Sequence, residues 1–418
     1  MDLLLIHQAF VGPNQAGGTR HFELASRLVE EGDGVAIVAS DLSYLTGKKT
    51  GGGRGLVTRE EIGQIRVLRA YTYPTLHKGF VWRVFSFVTF MMTSVWAGWR
   101  AGKPDLVMGT SPPLFQAASA WFISVLRRRP FLLEIRDLWP EFAIEMGVLT
   151  NPILIKLSRW LEGFLYRQST HLLVNSPAYR DYLIKKGIAP EKVTLICNGV
   201  DPDMFPLDVD GSAFRAGLGL NDKFVITYAG ALGMANDIGT ILRAAERLRD
   251  EPRIHFVLIG DGKERARLEQ QASEMKLPNV TFGGSRPKNE MGQVLAGSDA
   301  CVATLQNIPL FSTTYPNKIF DYMAARRPTI LGIDGVIRQV VDAAGAGIFV
   351  PPGDDAKLAE AARYLFAHQD EAREMGERGR DYVVANFNRH QQAAEFVDLV
   401  HRLAKKGTSV PRQTPVPA

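Results

Sequence analysis

Cysteine is nearly absent: Cys197 and Cys301 are the only two in 418 residues, and they fall in separate apolar runs. That excludes a disulfide framework and a thiolate zinc cluster, and it fits a reducing compartment. None of the eight histidines is paired at metal-ligand spacing in the sequence. Charge of one sign is also in short supply. The 49 Lys and Arg against 44 Asp and Glu leave a net charge of +5, enough to suit anionic ligands or anionic membranes but no signal for nucleic acid. At 46% hydrophobic and 22% charged residues, the composition excludes wholesale disorder, a collagen repeat and a coiled coil. The opening Met1-Asp2-Leu3-Leu4-Leu5-Ile6 lacks the basic region and long apolar stretch of a signal peptide. It reads as a first β-strand, and a cytoplasmic location is expected.

What the chain does have is a rhythm of short apolar runs separated by helical patterns. Leu3–Ile6, Val35–Ala39, Ile65–Leu68, Leu106–Met108, Phe131–Ile135, Leu172–Val174 and Val193–Cys197 are of this kind, and such runs suit parallel strands buried on both faces. Between Asp201 and Lys223, Pro202, Pro206, Gly211, Gly217 and Gly219 interrupt the pattern, which reads as a domain linker. The alternation restarts with Phe224–Tyr228, Ile254–Ile259, Val280–Phe282, Ala300–Thr304, Thr329–Leu331 and Ile348–Val350. Two doubly wound α/β domains are therefore expected: residues 1–205 and 206–388, then a helix over 389–406 crossing back to the first domain, then a disordered tail over 407–418.

One segment stands outside that scheme. Gly79–Trp99 carries three Trp and four Phe, with Arg83, Ser86, Thr89 and Thr93 recurring at helical spacing as a polar stripe. It is nearly as long as the roughly 20 residues that cross a bilayer. A buried helix, a spanning helix and a helix lying in the membrane interface remain open, and the stripe with Arg100 and Lys103 at its end favours the interface. The triplet Arg127-Arg128-Arg129 after the apolar Leu114–Leu126 offers either lipid-phosphate contacts or a favourable helix end.

Glycine-rich turns follow several strands. Gly17-Gly18 precedes Thr19-Arg20 and an amphipathic helix, Gly230-Ala231-Leu232-Gly233 follows the strand ending at Tyr228, and Gly260-Asp261-Gly262 follows the strand ending at Ile259. Adjacent glycines admit a ligand close to the backbone, and free N–H groups at a helix start favour an anion. Ligands of open α/β sheets bind beyond the carboxyl ends of the strands, so these turns are expected on the rim of one cleft. None matches the G-x-G-x-x-G dinucleotide fingerprint, which weakens a dehydrogenase reading.

The densest polar cluster is Thr313-Thr314-Tyr315-Pro316-Asn317-Lys318-Ile319-Phe320-Asp321-Tyr322-Met323. Pro316 suits a first helical position. Lys318 and Asp321 then share a face opposite Ile319, Phe320 and Met323, either as a surface ion pair or as a phosphate charge and an acceptor for sugar hydroxyls.

These residues resemble the family 4 retaining glycosyltransferases of GT-B fold, in particular a bacterial subgroup related to L-fucosamine transferases of surface-polysaccharide assembly. The matching stretches are Pro104-Asp105-Leu106-Val107, Thr110-Ser111-Pro112-Pro113-Leu114, Arg136-Asp137-Leu138-Trp139-Pro140-Glu141, Asn198-Gly199-Val200-Asp201 and Pro316 to Ala325. The resemblance implies two Rossmann-like domains facing a cleft. The donor lies on the second, against Gly230, Gly233, Gly260, Gly262, Arg286, Lys288, Thr313, Thr314, Asn317, Lys318 and Asp321. The acceptor lies on the first, near Gly17, Gly18, Arg20, Arg136 and Trp139. Asp321 occupies the place of the second Glu of the family's E-x7-E motif, which binds the nucleotide ribose, while Thr313 replaces the first. Ala231 and Asp237 stand where the family has a phosphate-binding Arg and Lys, so another cation must meet the diphosphate; Lys318, Arg286, Lys288 and Arg20 are the candidates. Asp137 is expected to orient the acceptor hydroxyl or take its proton, and Lys318 and Arg286 to stabilise the leaving group.

The reading is a transferase moving a sugar, an N-acetylated amino or deoxy sugar, from a UDP-sugar to a polyprenyl-diphosphate-linked saccharide or glycan acceptor with retention. It would sit peripherally on the inner membrane face through 79–99. No cofactor and no catalytic metal are expected: Asp201-Pro202-Asp203 and Asp208-Val209-Asp210 look like a D-x-D metal motif but lie in the linker. Alternatives are a UDP-sugar epimerase on the same fold, or a non-catalytic two-lobe binder of sugar nucleotides.

Overall fold

The computed structural model describes residues 1–43, 47, 49–50, 55–74 and 80–407; residues 408–418, where the tail is expected, lie outside them. The first sheet contains β1 (Asp2–Ile6), β2 (Gly34–Ser40), β3 (Val57–Ile62), β4 (Ile65–Ala70), β5 (Leu106–Ser111), β6 (Phe131–Ile135), β7 (His171–Val174) and β8 (Val193–Leu195). Their order is β3-β4-β2-β1-β5-β6-β7-β8. All pairs are parallel except β3 with β4. β3 was not among the expected strands. Its sequence VTREEI is polar because it is an edge strand, where charged side chains shield the unpaired backbone.

The second sheet is wholly parallel, β11-β10-β9-β12-β13-β14, built from β9 (Phe224–Ala229), β10 (Ile254–Ile259), β11 (Val280–Gly284), β12 (Ala300–Thr304), β13 (Thr329–Gly332) and β14 (Gly347–Phe349). Its central strands are buried on both faces, so they read as continuous apolar runs. In each sheet the strand order reverses beside the first strand of the domain, between β1 and β5 and between β9 and β12. These are the switch points where loops diverge and leave a crevice.

The segment expected to be a linker is largely structured. Pro202–Met204 forms a 3-10 turn and Ser212–Leu218 a helix, while Phe205 and Leu220 are buried in one cluster with Val225, Ile319 and Phe320. Proline and glycine punctuate this stretch, but the buried Phe205 and Leu220 still anchor it to the second domain. The helix Arg389–Gly407 packs Phe396, Leu399, Val400 and Leu403 against Leu24 and Leu28 of α1 (Arg20–Glu30). The two chain crossings lie side by side, since Val200 bridges Asn388.

α2 (Phe80–Arg100) and α3 (Leu114–Arg127) cover the first sheet. Ser86, Thr89 and Thr93 of the polar stripe of α2 face the protein. Ser86 is buried, the Thr89 hydroxyl accepts the Tyr73 N–H at 3.1 Å, and the Thr93 hydroxyl donates to the Tyr71 carbonyl at 2.8 Å. These hydroxyls satisfy backbone groups of the chain entering the helix, and this turns the rings outward. Trp82, Phe85, Met92, Trp96 and Trp99 are exposed, Trp96 at 50%. The helix is not simply buried either, although Phe90, Ser94 and Ala97 are fully enclosed. Among the described residues no helix is long and apolar enough to cross a membrane.

Candidate active site in the interdomain cleft

The wall formed by the first domain starts from a charge inside a buried strand. Glu134 on β6 is fully enclosed and is held by the Arg20 side chain at 3.0 Å and by His21. Arg20 also donates to the Cys197 and Ile196 carbonyls, both at 2.8 Å, tying the start of α1 to the end of β8. Burial opposes the charge on Glu134, but His21 and Arg20 outweigh it and keep the carboxyl below the usual carboxylate range. Arg20, expected as a candidate cation for the diphosphate and as an acceptor-side residue, lines the cleft, but three of its five N–H donors already serve a carboxylate and two carbonyls.

At the mouth of β6, Arg136 donates to the Pro112 carbonyl at 3.1 Å and Asp137 opens to the cleft. The protein packed around the cleft raises the Asp137 carboxyl to about 6, with Arg136 and Tyr179 opposing the rise. Gly18, Arg136, Asp137 and Trp139 line a cleft of about 480 Å³, faced from the second domain by Thr314 and Asn317. Gly17 lies just outside it, with φ +144° and Val11 packed beneath.

The second domain lines the cleft with Ala235, Leu305, Phe311 and Thr314 to Asn317, and beside this wall the glycine turns at its strand ends are stacked. A Cβ on Gly260, where φ is +146°, would fall 1.8 Å from the Gly230 carbonyl oxygen, so only glycine lets the two turns after β9 and β10 touch. Gly262 abuts the Leu232 carbonyl in the same way, and the Gly233 carbonyl accepts the Asn236 N–H at 3.0 Å. Lys318 reaches this point from the helix Asn317–Ala324. Its Nζ donates to the Tyr228 hydroxyl at 2.7 Å and to Asn236 Oδ1 at 3.1 Å, and it lies 4.0 Å over the Tyr228 ring. Burial draws its amine down to about 7. The helix begins one residue later than expected, with Pro316 as its cap.

Lys318 and Asp321 do not pair with each other. Asp321 accepts from Lys288 Nζ at 2.6 Å, and burial, larger than the effect of Lys288, raises its carboxyl above the usual value. Lys288 and Asp321 therefore meet, though as partners of one another. Arg286 is not brought in: it is exposed, pairs with Glu290 at 3.5 Å and does not line the cleft. Thr313 turns its hydroxyl back to the Leu310 carbonyl at 2.6 Å, and its own carbonyl accepts from Ser176 at 2.6 Å. Thr314 likewise bonds backward, to the Phe311 carbonyl at 2.9 Å, yet lines the cleft. The domains are closed on each other here, since Asn198 Nδ2 donates to the Tyr315 carbonyl at 2.6 Å and the Lys288 N–H to the Gln15 carbonyl at 3.2 Å.

Sequence reasoning missed His21, Glu134, Tyr179, Tyr228 and Asn236. Glu134 carried a signal, a lone charge inside the apolar run Phe131–Ile135, because a charge that deep must be paired. Tyr228 and Asn236 carried none. Asp201, Asp203 and His390 come together on the surface, with His390 Nε2 at 3.3 and 3.1 Å from the two carboxylates, a juxtaposition across 187 residues that spacing could not reveal.

Comparison with known proteins agrees with this fold. Residues 16–199 match the family described as Glycosyl transferase 4-like domain and residues 212–382 that described as Glycosyl transferases group 1. WcaI of Escherichia coli K12, named for colanic acid biosynthesis as a glycosyl transferase, is 28% identical over 68% of this chain and 72% of its own. In overall structure the chain resembles a sucrose-phosphate synthase of Thermosynechococcus elongatus, with TM-score 0.76, 20% identity and coverage of 97% of this chain and 99% of that one. It also resembles Anabaena HepE in complex with UDP-glucose, with TM-score 0.72, 17% identity and coverage of 96% and 100%.

Proposed function

We propose a reaction for this chain, which belongs to the group 1 glycosyltransferases of GT-B fold: it transfers a sugar from a UDP-sugar, an N-acetylated amino or deoxy sugar as in the L-fucosamine transferase-like subgroup, to a lipid-linked or glycan acceptor of bacterial surface polysaccharide, with retention. The observation that carries this reading is Lys318. It is a cation at the glycine turns of the second domain, next in sequence to Asn317, which lines the cleft together with Asp137 and Trp139 of the first domain. The diphosphate gains charge as the glycosidic bond breaks, and a preorganised cation there stabilises the transition state. Asp321 accepts the ribose hydroxyls once Lys288 yields. Asp137 orients the acceptor hydroxyl. Among the described residues lining the cleft it is the one carboxylate, whereas a double displacement assigns separate acid and nucleophile carboxyls; this supports same-face attack, with the departing phosphate oxygen receiving the acceptor's proton. Lys318 takes the charge-stabilising role that a metal would fill, so activity is expected to be metal-independent.

The acceptor's lipid is met by the outer face of the first domain. Exposed Trp82, Phe85, Met92, Trp96 and Trp99 of α2 adjoin Phe122, Val125 and Leu126 of α3. Arg127 lies 3.8 Å over the Trp99 ring and Arg100 5.0 Å over Trp96, placing cations at the edge of an apolar surface as an anionic bilayer interface requires. This surface supports a peripheral position at the cytoplasmic face of the membrane.

The test is incubation with a panel of UDP-sugars and membrane extract, with and without EDTA, reading UDP release. Acceptor-dependent release insensitive to EDTA is expected. Release that needs added metal, or none with any donor, overturns the reading.

A further inference from the structure

Lys318 is held in an unusual way: each hydrogen-bond partner of its amine is a neutral oxygen. The Tyr228 hydroxyl spends its own proton on the Ala231 carbonyl at 2.8 Å, so toward Lys318 it can only accept. Asn236 Oδ1 is an acceptor by nature. The nearby charges are all engaged elsewhere. Asp321, one turn along the same helix, bonds Lys288. Asp237, next to Asn236, bonds the Thr240 hydroxyl at 2.5 Å. Asp261, on the neighbouring glycine turn, accepts the Gly262 N–H at 2.8 Å and lies 3.6 Å from Arg265. Tyr228 is itself enclosed and its phenol is pushed far above its ordinary value by burial, so it contributes no charge.

Two of the amine's positions are thus fixed as donors, to Tyr228 and Asn236. The third faces the Gly230 turn, where a Cβ would come within 2.8 Å of Nζ. That third position can carry either a lone pair or a proton without disturbing the other two bonds. A diphosphate arriving at the turn supplies the counter-ion that the protein withholds, and favours the proton.

We propose that Tyr228 and Asn236 are positioning residues which hold Lys318 free of a counter-ion, so that the donor's diphosphate binds together with a proton taken from solvent by Lys318. This rests on the functional reading above and deepens it: the donor site is a charge-completing site, and its affinity is coupled to pH through one named amine. The low value of about 7 that burial gives Lys318 places the coupling in the neutral range.

The experiment is calorimetric titration of the full chain with UDP in two buffers of different ionisation enthalpy, whose difference in heat counts protons. At pH 8, where a phosphate monoester is already ionised, wild type should take up nearly one proton per UDP, and at pH 7 about half. Lys318→Met should bind UDP more weakly and take up none. Tyr228→Phe keeps the ring under the amine but removes one acceptor, so the free amine is more often neutral; affinity should fall several-fold and uptake at pH 7 should rise above the wild-type value. Asn236→Ala, a half-buried position, should shift uptake in the same direction. A role limited to supporting the turn would lower affinity without changing uptake. Buffer-independent heat in wild type, or unchanged uptake in both variants, overturns the proposal. Wild type that binds no UDP removes the functional reading and this inference with it.

Discussion

The two domains share a plan, parallel strands covered by helices, and turn opposite kinds of surface outward. On the first, α2, α3 and the helix Pro152–Gln168 expose large apolar side chains, with Ile153 at 68% and Trp160 at 60% exposure. On the second, from residue 206 onward, the exposed large apolar residues among those described are Leu207, Met234 and Tyr364. Its outer helices carry ion pairs instead, including Arg243–Asp355 at 3.3 Å and Arg363–Asp250 at 2.7 Å. Since the internal packing is alike, the fold itself does not demand the apolar face, which supports the proposed membrane contact. The cleft walls differ as well. The first domain's wall closes Glu134 with Arg20 and His21, whereas the second domain's wall leaves Lys318 among neutral oxygens. The first is finished as structure; the second, on the proposal above, is completed by ligand.

That contrast is broken most directly at Glu134. Replacing it with Ala strands the buried Arg20 and should cost about 3–5 kcal/mol of stability, read as a lowered Tm. The folded-state carboxyl lies below its usual value, so its contribution is present above the ordinary carboxylate range and is lost as pH falls through and below that range. Lys318→Met should remove a pH dependence of the same sign in a higher pH window. The folded amine lies below its ordinary 10.5, so the unfolded chain binds more protons between pH 7 and 10.5; wild-type stability rises with pH there and the Met variant loses that dependence. A Glu134 variant as stable as wild type would erase the distinction between the walls.

Functional losses come next. Asp321→Ala should weaken UDP binding by roughly 1–3 kcal/mol through loss of a charged acceptor, measured by calorimetry on the folded variant; unchanged affinity removes Asp321 from the site. Turnover in Lys318→Met should fall at least about tenfold, and near-normal turnover would pass the role to Lys288.

The outer faces are compared by vesicle sedimentation. Wild type should pellet with anionic vesicles and be partly released by high salt, which screens the basic rim but not apolar insertion. Changing Trp82, Phe85 and Trp96 together to Ser should abolish pelleting while leaving Tm and activity on a soluble acceptor analogue unchanged, because these rings are exposed. Unfolding would instead assign them to the core. The smallest effect is expected at Asp137. With its carboxyl raised to about 6, kcat/KM should fall below that pH, and Asp137→Asn should lower activity and flatten that limb.

Much of this was legible in the chain. The central strands announced themselves because burial on both faces leaves no room for polar residues, and the glycine turns because close backbone contacts at Gly230 and Gly260 exclude a Cβ. β3 was hidden by the charges an edge strand needs, and the segment 201–223 by prolines that mask the anchoring of Phe205 and Leu220. On α2 the helical spacing of Ser86, Thr89 and Thr93 was correct, but spacing fixes a shared face without fixing its direction.

The sequence by itself determined two α/β domains, the turns at their strand ends and the residue types available to a donor site, because those follow from local periodicity and backbone sterics. Only the tertiary structure decided the partners. It gave Arg20 to Glu134, Lys288 to Asp321 and Lys318 to Tyr228 and Asn236, separated it from Arg286, and turned the aromatic face of α2 to solvent. A charge's role depends on which opposite charge or neutral oxygen lies within about 3 Å, and that distance is set by segments up to 114 residues apart in the case of Arg20 and Glu134.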